Sequence, residues 1–209
     1  MKAIELNNVS FHYPNNPIFK NISAKFSTGE KIALLGENGT GKTTLLKMMS
    51  TLLKPNDGVI QHLDETYEMD KHNIRRQIGV CLEDSHLLRN FTVVENLRIY
   101  QKLYTDVYEP EKIYAWLEKF RMQLYRETLI QHLSQGEQKK ISLIKAFLHE
   151  PPVLLLDEPT NSLDQDSKNA LSEIFKSLDG RLLIVSTHDR EWSKQWSTRE
   201  INIQKGELS

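Results

Sequence analysis

The stretch GENGTGKTT, Gly36 to Thr44, constrains this chain more than any other. It follows a short apolar run, KIALLG, and precedes TTLLKMMSTLL, whose apolar residues recur at helical spacing. The expectation is a buried strand, a glycine-rich loop and a helix that KPNDG ends. Gly, four residues, Gly, Lys and Thr is the P-loop pattern. Its glycines let the backbone wrap a phosphate with amide hydrogens pointing inward. Gly36, Glu37, Asn38, Gly39, Thr40, Gly41, Lys42, Thr43 and Thr44 are therefore the expected nucleotide-binding residues. Lys42 would reach the β- and γ-phosphates, and the Thr43 hydroxyl would ligate Mg²⁺. A glycine-rich turn before an ordinary helix is the bland alternative; a strand and a helix in place on either side weigh against it.

VLLLDEP, Val153 to Pro159, supplies matching carboxylates. Its apolar residues read as a buried strand, and Asp157 emerges at the carboxyl end, where ligands bind in α/β sheets. Asp157 would hold Mg²⁺ through water, and Glu158 would orient or deprotonate an attacking water. Alone, such a pair could equally cap the next helix.

The 209 residues suit one domain with an inserted lobe. At 39% hydrophobic and 26% charged the chain reads as globular, and a net charge of −1 gives no reason to expect nucleic acid. The single cysteine, Cys81, excludes an internal disulfide. No run suits a signal peptide or a membrane span. AIELNNVSF and ISAKFS alternate like strands around a PNNP turn. RRQIGVCLE is a further strand candidate. VVENLRIYQKLY, EKIYAWLEKF and YRETLIQHL read as helices, with Pro110 suited to a first turn. LLIVSTH is a buried strand after the helical SKNALSEIFKSL, and TREINIQKGELS closes as an edge strand or hairpin. The fold class is α/β: a P-loop core with an N-terminal antiparallel β subdomain and an inserted α-helical subdomain. The core is expected at about 1–83 and 151–209, and the helical part at about 84–150.

LSQGEQKK, Leu133 to Lys140, raises a different question. A Ser and a Gly precede a helix, and helix starts bind anions. Ser134 could simply cap its helix, with Glu137 completing a capping box. Yet LSQGEQ lies about 20 residues before LLLDEP, and at this spacing the chain resembles the ATP-binding-cassette (ABC) ATPases, the nucleotide-binding subunits of ABC transporters. The resemblance covers nearly the whole chain. It implies ATP and Mg²⁺ as cofactors and a head-to-tail pair of cassettes, homodimeric or heterodimeric, in which Ser134, Gly136 and Glu137 contact ATP held by the partner. Capping and phosphate binding are compatible. The resemblance also implies that Tyr13 stacks on adenine, where a core aromatic is the alternative, and that His188 contacts the γ-phosphate. It places Ser162, Leu163 and Asp164 at the dimer interface; otherwise they are a capped helix start.

Two positions depart from that family's pattern. Gln135 and Glu137 replace the first-choice Gly and Gln of the signature. Glu83, which ends IGVCLE, stands where most members have Gln; it could ligate Mg²⁺ but only accepts hydrogen bonds when ionised. Gln77 is too far upstream to substitute. The resemblance implies an ATPase on the cytoplasmic face of a membrane, working through separate permease subunits that dock near Glu83 and the segment EDSHLLRNFTVVEN. Two rivals are a soluble ABC protein acting on ribosomes or DNA, and a P-loop kinase or GTPase; the latter leaves LSQGE unexplained.

Overall fold

Alternating side chains build the first hairpin. Strand β1 (Lys2–Tyr13) pairs antiparallel with β2 (Asn16–Ser27), and Asn15 takes the positive φ of the tight turn between them. The computed structural model describes residues 2–62, 65–66, 71–83, 86–105, 109–204 and 206–209. Next come β3 (Lys31–Leu35) and helix α1 (Lys42–Met49). Strands β4 (Asp57–His62) and β5 (Glu65–Thr66) follow, then α2 (Lys71–Arg76) and β6 (Ile78–Cys81). A helical stretch holds α3 (Val93–Tyr104), α4 (Pro110–Lys119) and α5 (Gln135–Phe147). The chain then alternates through β7 (Val153–Asp157), α6 (Gln165–Lys176), β8 (Leu182–Thr187) and α7 (Arg190–Ser193) to the hairpin of β9 (Arg199–Gln204) and β10 (Glu207–Leu208).

Two sheets result. One is antiparallel in the order β2-β1-β4-β5, and the other runs β10-β9-β3-β8-β7-β6, parallel except for β10. The parallel sheet is covered on both faces, so its strands are apolar on both sides. Ile32, Leu34, Leu155 and Ile184 pack with α1 and the antiparallel sheet. Ala33, Leu35, Leu154, Leu156 and Val185 pack against the helices on the other face. There an aromatic chain runs from Trp116 through Phe147 and Phe175 to Trp192 and Trp196.

Three expected elements differ. The segment YRETLIQHL is not an α-helix; it forms two short 3₁₀ turns, Gln123–Tyr125 and Ile130–His132. Its carbonyls are taken by the start of α3, where Val93 and Val94 amides donate to Thr128 and Arg126, while the Ile130 amide donates to Phe91. The first turn of any helix has amides without internal partners, and satisfying them here wins over helical spacing. The strand expected over RRQIGVCLE begins only at Ile78. Arg75 and Arg76 instead form the last turn of α2, where Arg75 donates to Thr51 Oγ1 at 2.9 Å, and Gln77 lies in the turn before the strand. Helix α1 stops at Met49, ahead of KPNDG, because Thr51 turns left-handed and the Leu52 and Leu53 amides fold back on the Lys47 carbonyl.

A groove of about 280 Å³ opens between α3, α5 and β6, lined in part by Arg75, Tyr100, Tyr104, Lys145 and His149. His149 stacks on Tyr104 with ring centroids 4.2 Å apart. Burial lowers its pKa to about 4, with a contact to the Ile78 backbone working the other way and the Arg181 charge adding to the depression. The folded state thus resists protonation that the unfolded chain accepts near pH 6.5. Stability present above pH 6.5 should be lost as the pH falls through about 4, by roughly 2–3 kcal/mol from this group. Denaturant melts of wild type and His149→Phe, which keeps the stack, check this. The wild type should lose that much more than the variant between pH 7 and pH 4.

Candidate active site

The carboxyl ends of β3, β7 and β8 lie side by side, since these strands are parallel neighbours. Side chains leaving them converge on one cleft of about 880 Å³. The loop after β3 holds Gly41 at φ 107°, a left-handed value that suits glycine. A Cβ there would also sit 2.7 Å from Ile18 and 2.8 Å from Phe19, so β2 presses directly on the loop. Lys42 folds back over the loop, and its Nζ donates to the carbonyls of Gly36 at 2.7 Å and Glu37 at 3.0 Å. The Thr40 hydroxyl donates to the Glu37 carbonyl at 2.9 Å and closes the turn.

Thr43 Oγ1 donates to Asp157 Oδ2 at 2.7 Å, and the other Asp157 oxygen accepts from Ser186 Oγ. Asp157 is buried, yet it lines the cleft together with Thr43 and Glu83. Glu83 is exposed on the cleft wall just past β6. Glu158 has its backbone at φ 42°. Its carboxylate points inward, with Oε2 3.1 Å from His188 Nδ1 and Oε1 4.0 Å from Lys42 Nζ. Oε1 is buried without a hydrogen-bond partner among the described residues. His188 itself is largely exposed. At the far end, the Tyr13 hydroxyl lies 3.4 Å from Thr44 Oγ1, its ring edge-on to Phe11.

The expected residues thus divide. Tyr13, Asn38, Gly39, Gly41, Lys42, Thr43, Thr44, Glu83, Asp157, Glu158 and His188 share the cleft. Gly36, Glu37 and Thr40 support the loop from behind. Ser134, Gly136 and Glu137 are not among the residues that line it. They start α5 with a complete capping box: the Ser134 amide and hydroxyl donate to Glu137 Oε2 at 2.7 and 2.8 Å, and the Glu137 amide donates back at 3.3 Å. Partial burial works to raise the Glu137 pKa, but hydrogen bonds from Ser134 and Tyr125 prevail and hold it below the usual carboxylate range. A Cβ on Gly136 would lie 2.5 Å from the Ser162 carbonyl, so the segment before α6 packs on this helix start. Asp164 caps α6 by accepting from the Ser167 amide at 2.7 Å. Residues 84 and 85 of the expected docking segment lie outside the described residues.

Asn16, Ile18, Gln138, Lys139 and Asn161 line the cleft without having been singled out in the sequence, and of the residues missed two bond the Asp157–Glu158 pair. Ser186 holds both Asp157 and the Glu158 amide, and Lys139 lines the cleft from α5. Neither belongs to a spacing pattern that marks it; the pairing of β8 with β7 brings in Ser186, and the seating of α5 brings in Lys139.

The residues present fit a magnesium–nucleoside triphosphate. The cleft has the volume of a small-molecule site. A cationic side chain covers a glycine-rich loop, a hydroxyl and a carboxylate already meet where an oxygen-seeking cation would sit, and a buried carboxylate oxygen is left without a donor. Among the described residues no group of three His, Cys, Asp or Glu side chains is placed to hold a metal ion.

Comparison with known proteins points the same way. A protein 36% identical over 210 residues, provisionally named an ABC transporter ATP-binding protein, comes from Caldanaerobacter subterraneus subsp. tengcongensis; the match covers 96% of this chain and 87% of that one. The phosphonates import ATP-binding protein PhnC of Fusobacterium nucleatum subsp. nucleatum is 28% identical, with 98% of this chain and 90% of the relative covered. A solved structure of the ATP-binding subunit of an ABC transporter superposes with a TM-score of 0.91 at 26% identity, covering 99% of this chain and 88% of that one. The family described as ABC transporter matches residues 19–161, and with a match across most of its length, laid over the loop, the carboxylate pair and the start of α5, the chain belongs to the ABC transporter family.

Proposed function

We propose that this chain is the ATP-binding and ATP-hydrolysing subunit of an ABC transporter, driving transport through separate membrane subunits. The observation that supports it most is the convergence of Lys42, Thr43, Asp157, Glu158 and His188 on one cleft. Among the described residues no helix is long and apolar enough to cross a membrane, which fits a subunit bound at the cytoplasmic face.

ATP enters with its adenine against Tyr13 and its phosphates in the loop after β3. Lys42 exchanges its two carbonyl contacts for phosphate oxygens. Thr43 and Asp157 would hold Mg²⁺, with Glu83 at the cleft wall as a further candidate; the bound ion neutralises phosphate charge. Glu158 accepts the proton of a water or aligns it for attack, and His188, hydrogen-bonded to the same carboxylate, would contact the γ-phosphate. Ser134, Gly136 and Glu137 are not in the lining of their own cleft, although Gln135 and Gln138 beside them are; in this reading the three serve nucleotide held by a second cassette in a head-to-tail pair. The helical stretch at about 84–150 carries that surface.

Three measurements check this reading. Glu158→Gln should keep ATP affinity and lose turnover by about a hundredfold or more. Its dimer should persist in Mg-ATP on size exclusion, whereas wild-type turnover would remove Glu158 from the mechanism. Lys42→Ala should weaken nucleotide binding to the isolated chain by about tenfold or more. Ser134→Arg should leave that binding within twofold of wild type while preventing ATP-driven dimer formation. Equal loss of binding in both variants would refute action in trans. Finally, Glu83→Gln should preserve the fold and substantial ATPase activity but shift the Mg²⁺ dependence of the rate. Overlapping Mg²⁺ titrations for the two proteins would place Glu83 away from the metal.

A further inference from the structure

The Asp157–Glu158 peptide is held from both sides. Its N–H donates to the Ser186 carbonyl at 3.1 Å and to Ser186 Oγ at 3.0 Å. Its C=O accepts from Lys139 Nζ at 3.0 Å. The residue that follows, Glu158, sits at φ 42°, a left-handed value that a side-chain-bearing residue keeps only when its surroundings enforce it. Such enforced backbone clusters at functional sites. Relaxing φ would swing the carboxylate out of the gap between Lys42 and His188, where it stands 4.0 Å from one and 3.1 Å from the other.

Ser186 belongs to β8, the strand beside β7, so that half of the clamp is internal to the sheet. Lys139 is different. It stands one turn from the first residue of α5, on the helix that Ser134 caps. Burial pushes up the pKa of the Cys81 thiol at the end of β6, and the Lys139 charge works to lower it. One ammonium therefore ties the start of α5 to the carboxyl end of β7.

We propose that Lys139 is a positioning residue that fixes the Asp157–Glu158 peptide, so that the aim of Glu158 depends on how the start of α5 is seated on the core. The proposal rests on the reading of Glu158 as the residue that handles the attacking water. It gives that residue a link to the surface that meets the second cassette: a shift of Ser134 in a closing pair moves Lys139, five residues on in the helix that Ser134 caps, and with it the peptide plane before Glu158.

The test compares full-length wild type, Lys139→Met and Lys139→Arg. Methionine keeps the length and packing of the stem without a donor; arginine restores donors and charge. In nucleotide-free protein the Glu158 backbone amide, followed by NMR, should change chemical shift and exchange with solvent about tenfold faster in the Met variant. Turnover of that variant should fall by about tenfold or more, with KM for ATP within twofold, because orientation is lost and binding is not. The Arg variant should recover the wild-type amide and at least half the turnover. If Lys139→Met does not fold, Lys139→Gln, whose donor is one atom too short, takes its place with the same expectations. An unchanged Glu158 amide in the non-bridging variant, or an Arg variant as impaired as it is, overturns the proposal. The amide reads the clamp without hydrolysis, so failure of the Glu158→Gln test would leave this result standing on its own.

Discussion

One hydrogen bond, from Thr43 Oγ1 to Asp157 Oδ2, joins residues 114 positions apart, and the rest of the site depends on it. It exists because β3 and β7 flank β8 in one parallel sheet, with all three carboxyl ends on the same edge. A parallel sheet buried on both faces has little freedom to slide, since a slip of one residue would turn apolar side chains away from their packing partners. The register Leu156↔Val185 and Asp157↔Ser186 therefore sets the height of the carboxylates relative to the loop. Packing of Ile32, Leu34, Leu155 and Ile184 on one side and Leu35, Leu154, Leu156 and Val185 on the other is thus a condition for the chemistry.

The two halves of the site were legible in the sequence for different reasons. The loop carries its chemistry within nine consecutive residues, so strand, glycines, Lys42 and Thr43 can be read locally. Asp157 and Glu158 are legible because four apolar residues and then two acids announce the end of a buried strand. Lys139 and Ser186 are not legible in this way. Each acts through a contact across 18 or 29 residues, the first created by the seating of α5 and the second by the pairing of β7 with β8. YRETLIQHL shows the converse failure: its apolar spacing is compatible with a helix, but its backbone is used to complete α3. Periodicity records which side chains face inward and is blind to where backbone donors and acceptors are spent.

The helical face gains its cohesion from aromatic packing. Phe147 stacks on Trp116 at 5.1 Å and leans on Phe175, which meets Trp196 edge-on. These residues come from α4, α5, α6 and the segment around α7, so the helical stretch and the core share one apolar cluster. Against that anchorage, the groove beside Tyr100, Tyr104 and Lys145 opens on the side of α5 that faces α3. Lys145 lies 4.6 Å over the Tyr100 ring, and burial lowers its pKa, so the groove wall presents a cation partly sheltered from water.

The capping box at the start of α5 has its own consequence. Glu137 already receives both the amide and the hydroxyl of Ser134. An anion arriving at this helix start meets a resident one, tethered three residues away and present at very high effective concentration. Occupancy is then an exchange of ligands: the visitor succeeds only by offering more than one carboxylate can, and when it leaves, the donors are recaptured at once. If this helix start serves a phosphate as proposed, it stays silent toward weak anions such as chloride or acetate and answers to a group with several charged oxygens. The substitution of an acid for an amide at this position acts as a threshold on what can be recognised there.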